Sequence, residues 1–356
     1  MHLALQTVRP LAQGSVLRRQ VDRPWPTILG TEIGQAFRQA GELRGGSGCT
    51  LLHRPVRLTW QFPPTSSKRV FQQPASVRDN GTMATQATKL TLAVLISGGG
   101  TNLQAMIDRA ESGELDARIA LVVSNNPEAY GLVRARNHDI PIAVVDYRKY
   151  GRKQLPRVPP DALPAQFAEM AQRQRLYRGL PQPEVEDRLA RLVLAEQEVI
   201  HVVDRVRPDV ICLAGFMRLL SPYFIGHFQG DGRYRIMNIH PALLPAFPGE
   251  RGYEDTFSYG CKIGGVTVHF VDEGEDTGPV IAQAVYPIWP EDSLEMVRQR
   301  GLQLEYALYP RCIQWMAEGH LRVAIGAAGR PVVQILDPSY PDFLQGLIRQ
   351  AFTGPA

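Results

Sequence analysis

From residue 89 onward, apolar and polar positions fall into blocks with two different periods. Residues 90–96 (LTLAVLI) form a continuous apolar run, as a strand covered on both faces requires. SGGGTN (97–102) follows, and LQAMIDRAESG then places apolar residues at helical spacing and ends on a glycine. Residues 117–124 repeat the strand pattern, 130–138 read as a short helix, and 140–146 as a third strand. Strands alternating with helices predict right-handed crossovers and a parallel sheet. Further on, 185–206 predict a helix and 208–216 a buried strand, and a short helix then leads to a strand that ends in NIHP. Residues 264–272 alternate, and 279–288 form a strand that can pair antiparallel with them. Residues 292–319 make the longest helix, with Asp292 and Glu295 at capping-box spacing and Gly319 at its end. LRVAI, PVVQIL and a helix near 343–351 complete the pattern, and there are no repeats.

Two stretches break this rhythm. Residues 1–82 hold no sustained apolar period and are rich in Arg, Gln, Pro, Gly and Ser. One run, VRLTWQF (56–62), could form a strand but has no obvious partner. This segment is expected to be a poorly ordered or non-native extension, with Met83 as the natural start of the α/β domain. A transit peptide or a basic binding arm are the alternatives. In 147–183, prolines 156, 159, 160, 164, 181 and 183 bracket the arginine-bearing FAEMAQRQRLYR. Its plain reading is a solvated insertion, and its alternatives are a substrate lid or an interaction arm. The expected organisation is therefore an extension over 1–82, one domain over 83–325 interrupted at 147–183, and a C-terminal extension over 326–356.

Composition narrows the class. Hydrophobic content of 44% and charged content of 21% are ordinary for a globular protein, and no apolar run reaches the roughly 18 residues of a membrane span. Cys49, Cys212, Cys261 and Cys312 lack metal-like or CxxC spacing, so free thiols in a reducing, cytoplasmic setting are expected. The net charge of +4 belongs to the N-terminal segment. Residues 1–82 carry eleven Lys/Arg against four Asp/Glu, and the remainder carries 28 against 31. The body of the chain thus has no basic signature for nucleic acid.

The chemistry concentrates in YRIMNIHPALLPAFPG (234–249). On a strand, residues two apart share a face, so Asn238 and His240 project together where Pro241 turns the chain out of the sheet. Asn offers a neutral donor, and His changes charge near neutral pH. DEGEDTG (272–278) follows about thirty residues later, and spacing leaves open which of its four acids reaches His240. His269 reads as structural. SGGGTN suits an anion, because its backbone N–H groups and the following helix N-terminus can face a phosphate. It lacks both the GxGxxG pattern and the P-loop lysine. With no metal-ligand spacing and no nucleophile elbow, general acid–base and oxyanion work remain.

LISGGGTNLQAMID, ICLAGFMRLLSP, MNIHPALLPAFPG and VTVHFVDEGEDTGPVI, in this order, closely resemble the phosphoribosylglycinamide formyltransferase family over about residues 89–325. The resemblance implies a Rossmann-like formyltransferase fold, with a mostly parallel central sheet flanked by helices. It implies formyl transfer from 10-formyltetrahydrofolate to a glycinamide ribonucleotide in purine synthesis, with Asn238, His240 and Asp276 as the catalytic set. Gly100, Thr101 and Asn102 would take the phosphate, and Glu305 would hold the glycinamide end. Met217, Arg218, Leu219, Leu220 and Asn238 would contact the folate. Asp276 would favour a protonated His240, which with Asn238 would stabilise the oxyanion. No metal or ATP is implied, because the donor is already activated. The partners implied are small molecules alone, with neither nucleic acid nor membrane, for a monomer or homodimer. Formyltetrahydrofolate deformylase, a hydrolase similar in its Asn/His/Asp set, is the alternative. Two departures stand out. ERGYEDTF (250–257) replaces a His-containing segment that often follows the PG dipeptide. The family's arginine near the formyl group has only Arg188 and Arg191 as candidates.

Overall fold

The computed structural model describes residues 89–353. The expectations for residues 1–82, including the strand at 56–62, the start at Met83 and Cys49, lie outside them. Seven strands form one sheet: β1 (Leu90–Ile96), β2 (Ala117–Ser124), β3 (Ile142–Val144), β4 (Val210–Leu213), β5 (Ile236–His240), β6 (Ile263–Phe270) and β7 (Val280–Pro287). Their order is β3-β2-β1-β4-β5-β6-β7. Pairings are parallel from β3 through β5, and β6 is antiparallel to both of its neighbours, as the alternating run and its partner predict.

The continuous apolar runs are explained by burial on both sheet faces. In β1, Leu92, Val94 and Ile96 enter one core and Ala93 and Leu95 the other. The first core is covered by α1 (Thr101–Ser112), α2 (Tyr130–Asn137) and, later in the chain, a long helix over Leu294–Ala317. The second lies under α4 (Gln182–Asp204) and α5 (Pro222–Gln229), where Val199, Val203 and Phe224 pack on Leu95 and Ile211. Between α2 and α4 comes α3 (Phe167–Arg173). Between β5 and β6 comes α6 (Gly252–Ser258), and Leu294–Ala317 is α7.

Two expectations change, and one is refined. Residues 147–183 are mostly exposed, as a solvated insertion is expected to be, but two side chains anchor them. Met170 and Ala171 of α3 bury against Leu189 and Val193 of α4, with Phe167, Leu163 and Tyr177 around them. Its sparse apolar residues meet on one side, and Arg191 ties down the chain before them through the carbonyls of Tyr150 (3.0 Å) and Leu155 (2.6 Å). The cap of α7 is Ser293, whose hydroxyl accepts from Met296 N at 3.3 Å. Asp292 is already engaged by Trp289 N (2.6 Å) and by Arg300 (2.7 and 3.0 Å). Finally, β8 (Leu321–Ile325) and β9 (Pro331–Ile335) form an antiparallel hairpin, so the boundary expected at residue 325 falls at the tip of a hairpin. The last helix, α8 (Tyr340–Thr353), places Leu347 in the first core and sets Tyr340 and Phe343 edge-on to Trp315.

Candidate active site

In a doubly wound sheet, ligands gather beyond the carboxyl ends of the strands where the winding reverses. Here β2 and β3 lie to one side of β1 and β4 and β5 to the other, so the reversal falls between β1 and β4. A cleft of about 620 Å³ opens there, lined by the turn after β1, the segment after β4, the end of β5 and the acidic turn after β6. Gly100, Thr101, Asn102, Met217, Arg218, Leu219, Leu220, Asn238, His240, Asp276 and Glu305 all line it. Arg188 and Arg191 do not. Arg188 pairs with Glu184 at 2.8 Å, and Arg191 pairs with Asp187 at 2.7 Å while clamping the 147–156 chain.

The glycine turn is built to present amides. The Gly98 carbonyl accepts from Gly131 N (3.0 Å), that of Gly99 from Arg134 Nε (2.9 Å), and that of Gly100 from Gln104 N (3.0 Å). Among the described residues, the N–H groups of Gly98, Gly99 and Gly100 donate to no protein acceptor. With the N-terminus of α1, they form an anion cradle. Gly100 must be glycine. Its φ of +68° is left-handed, and a Cβ there would lie 2.7 Å from the Gly131 Cα.

At the other side, Met217 is exposed and Leu220 buried. Asn125, with its amide oxygen facing Arg218, accepts from Arg218 Nε at 3.0 Å and donates to the Ile96 carbonyl at 3.2 Å. The guanidinium also lies over the Tyr147 ring, 5.6 Å from its centroid. The basic head is thereby held beside an apolar wall, to which Leu176 of the 147–183 segment contributes.

Between the two halves, Asp276 reaches back from the acidic turn to His240. Its Oδ2 stands 3.4 Å from Nδ1, and the other ring nitrogen, Nε2, donates to the Phe247 carbonyl at 2.8 Å. Phe247 and Asp276 are both non-glycine residues with φ of +52°. Left-handed backbone of this kind costs on the order of 1–2 kcal/mol per residue and marks positions held by their surroundings. Asp276 Oδ2 also accepts from Gly249 N (2.8 Å), and the neighbouring Thr277 carbonyl accepts from Arg330 at the hairpin tip (3.1 Å). Asn238 Nδ2 bonds His269 Nε2 at 3.2 Å, and His269 Nδ1 faces the Phe270 carbonyl at 2.9 Å. The carbonyl fixes a proton on Nδ1, Nε2 faces both Asn238 and Asp276, and at least one amide hydrogen of Asn238 stays unused. His269, read from sequence as structural, thus lies between Asn238 and Asp276, 3.6 Å from the latter's Oδ1.

Burial pushes the Asp276 carboxyl up, but the His269 contact, the charge of His240 and Gly249 N together hold it below the usual range. Burial pulls the His240 imidazole below its ordinary value, and Asp276 and the Phe247 carbonyl only partly oppose this. Burial thus works against the protonated His240 that the resemblance implies, while Nε2 carries the proton donated to the Phe247 carbonyl. The 3.4 Å gap at Nδ1, longer than a hydrogen bond, agrees with an unprotonated nitrogen there. Glu305 is buried at the wall of the cleft, its Oε2 accepting from Asn102 Nδ2 (2.6 Å) and its Oε1 from the Tyr253 hydroxyl (2.5 Å). Burial raises its carboxyl, against those two donors.

Sequence reading missed Tyr253, Asn125 and Leu176, and it took Ser97 only as part of the glycine turn, whereas its hydroxyl accepts from Met217 N at 2.8 Å. Ser97 and Asn125 follow the ends of adjacent parallel strands, a signal that was available once the sheet order was drawn. Away from the cleft, Glu318, His320 and Asp337 lie close together, but both oxygens of Asp337 are already taken by Arg311, Trp315 and Ser339.

A model of the formyl transferase family matches residues 90–313. Phosphoribosylglycinamide formyltransferase of Haemophilus influenzae is 38% identical over 232 residues, 65% of this chain and 89% of that protein. The Escherichia coli protein of the same name is 35% identical over 239 residues, 67% of this chain and 92% of that one. The crystal structure of glycinamide ribonucleotide transformylase 1 from Symbiobacterium toebii superposes with a TM-score of 0.55 at 33% identity, covering 72% of this chain and 99% of that one. By sequence and by fold alike, the chain belongs to the formyl transferase family.

Proposed function

We propose that this chain transfers the formyl group of 10-formyltetrahydrofolate to the amine of 5-phosphoribosylglycinamide, a step of de novo purine synthesis. The observation that carries the reading is the convergence of Asn238, His240 and Asp276 between an anion cradle and an apolar wall with a fixed cation. The phosphate end of the nucleotide fits the free amides after β1, and its amine end fits the Glu305 carboxylate. The folate fits the Met217–Leu220 side, where Arg218 can meet a carboxylate.

Asn238 donates its unused amide hydrogen to the formyl oxygen as negative charge develops. As the neutral amine attacks, it becomes cationic and must lose a proton. The His240–Asp276 couple takes that proton, with Asp276 stabilising the imidazolium that forms. It then returns the proton to the folate nitrogen as the C–N bond breaks, so one proton moves from the amine to the leaving group and none is consumed. With Cys212, Cys261 and Cys312 all free thiols, the proposed setting is the cytoplasm.

Purified protein mixed with 10-formyltetrahydrofolate is expected to release tetrahydrofolate only when the ribonucleotide is added. Release without it would favour the deformylase, and no release in either case would overturn the reading. Within an active enzyme, Gly100→Ala is expected to raise KM for the ribonucleotide by ~10-fold or more, because the cradle must shift to admit a Cβ. An unchanged KM would remove the cradle from the site.

A further inference from the structure

The ERGYEDTF segment, where the chain departs from its family's pattern, forms most of α6 and buries one residue of it, Tyr253, against the cleft. Its hydroxyl donates to Glu305 Oε1 at 2.5 Å, and Asn102 Nδ2 holds Oε2 at 2.6 Å. An ionised carboxylate has about four lone-pair sites. Two of Glu305's are taken by these donors, and the rest remain for a ligand. Space for the phenol ring comes from α7. A Cβ at Gly301 would lie 2.3 Å from Tyr253 Cε1, and Gly301 stands four residues before Glu305 on the same helix. One helical turn thus supplies both the acid and the gap through which its partner reaches it.

We propose that Tyr253 is a positioning residue of the ribonucleotide site, its hydroxyl holding the Glu305 carboxylate in the orientation that meets the substrate's amine. This rests on the formyl-transfer reading above and deepens it. Without Tyr253, one carboxylate oxygen would sit in a buried site with no donor, where an unpaired charged acceptor is strongly disfavoured. Glu305 would then take up a proton or turn away, and in either case the amine would lose its acceptor. The phenols of Tyr286 and Tyr306 also act on Tyr253, and among the described residues no lysine or arginine donates to Glu305 Oε1.

The test is Tyr253→Phe in the full-length enzyme, which removes one oxygen and keeps the ring beside Gly301. KM for the ribonucleotide is expected to rise by ~10-fold, with KM for 10-formyltetrahydrofolate unchanged. The acid limb of the pH profile of kcat/KM for the ribonucleotide should also move to higher pH, because the lost hydrogen bond favoured ionised Glu305. The same profile measured for the folate should stay in place. A purely structural tyrosine would lower the melting temperature and move neither limb. Wild-type activity with unchanged ribonucleotide KM and pH profile in the variant overturns the positioning role. A wild-type enzyme that releases no tetrahydrofolate on adding ribonucleotide overturns instead the reading beneath it.

Discussion

Replacing His240 by Ala, or Asp276 by Asn, is expected to lower turnover by ~10²-fold or more at saturating substrates, the scale of general acid–base effects. Asn is the informative substitution at 276. It tolerates the left-handed backbone found there (φ +52°) and can still accept from Gly249 N, so only the charge is lost. The imidazole would then lose the group that favours its charged form, while the burial that disfavours that form would remain. Because the two side chains act as one proton acceptor, the double variant should be little slower than either single one. Tetrahydrofolate release followed in all three variants checks this. Near-wild-type rates in either single variant, or multiplicative losses in the double, would remove the couple from the mechanism.

The second large effect is thermodynamic and lies beneath the cleft. Glu196 of α4 is fully buried, and burial raises its carboxyl to about 8, against hydrogen bonding with Ser221. Ser221 N donates to its Oε1 at 2.7 Å, and the Ser221 hydroxyl meets Oε2. Below about pH 4.5, folded and unfolded chains both carry the proton. Between there and about 8 only the folded chain keeps it, so stability falls as pH rises. Above that value both are ionised, and the loss is complete. A displacement of this size corresponds to about 5 kcal/mol. Glu196→Gln, which resembles the protonated acid, is expected to remove that dependence and to be the more stable protein at pH 8.5. Denaturant midpoints at pH 5 and 8.5 for both proteins test it, and parallel losses would show that Glu196 is not the titrating group.

The order of strands and helices was legible because both sheet faces are covered, so apolar runs and turn glycines carried the signal. The shared face of Asn238 and His240 followed from strand geometry alone. The choice of Asp276 did not. It depends on how residues 271–279 loop back across the end of β5, a long-range arrangement that spacing does not encode, and it came from resemblance. Tyr253 was hidden for a related reason: its partner, Glu305, lies 52 residues away on another element. The downward pull on the His240 imidazole was not legible either, because sequence displays a neighbouring carboxylate but not the burial around the ring. For 147–183 the exposure was legible in its prolines and arginines, whereas the anchoring of Met170 and Ala171 on α4 is a tertiary contact that spacing does not encode.

The two strained backbones beside the imidazole bear on any attempt to harden this protein against heat. A search for positions where glycine would relieve the chain would arrive at Phe247 and Asp276 among the first. At residue 276 the exchange removes the carboxylate itself. At 247 it frees the peptide whose carbonyl fixes the Nε2 proton, and takes away the ring that meets Tyr259 edge-on. Thermostability and turnover are opposed at these two residues by construction, and a hardened enzyme must find its gains elsewhere.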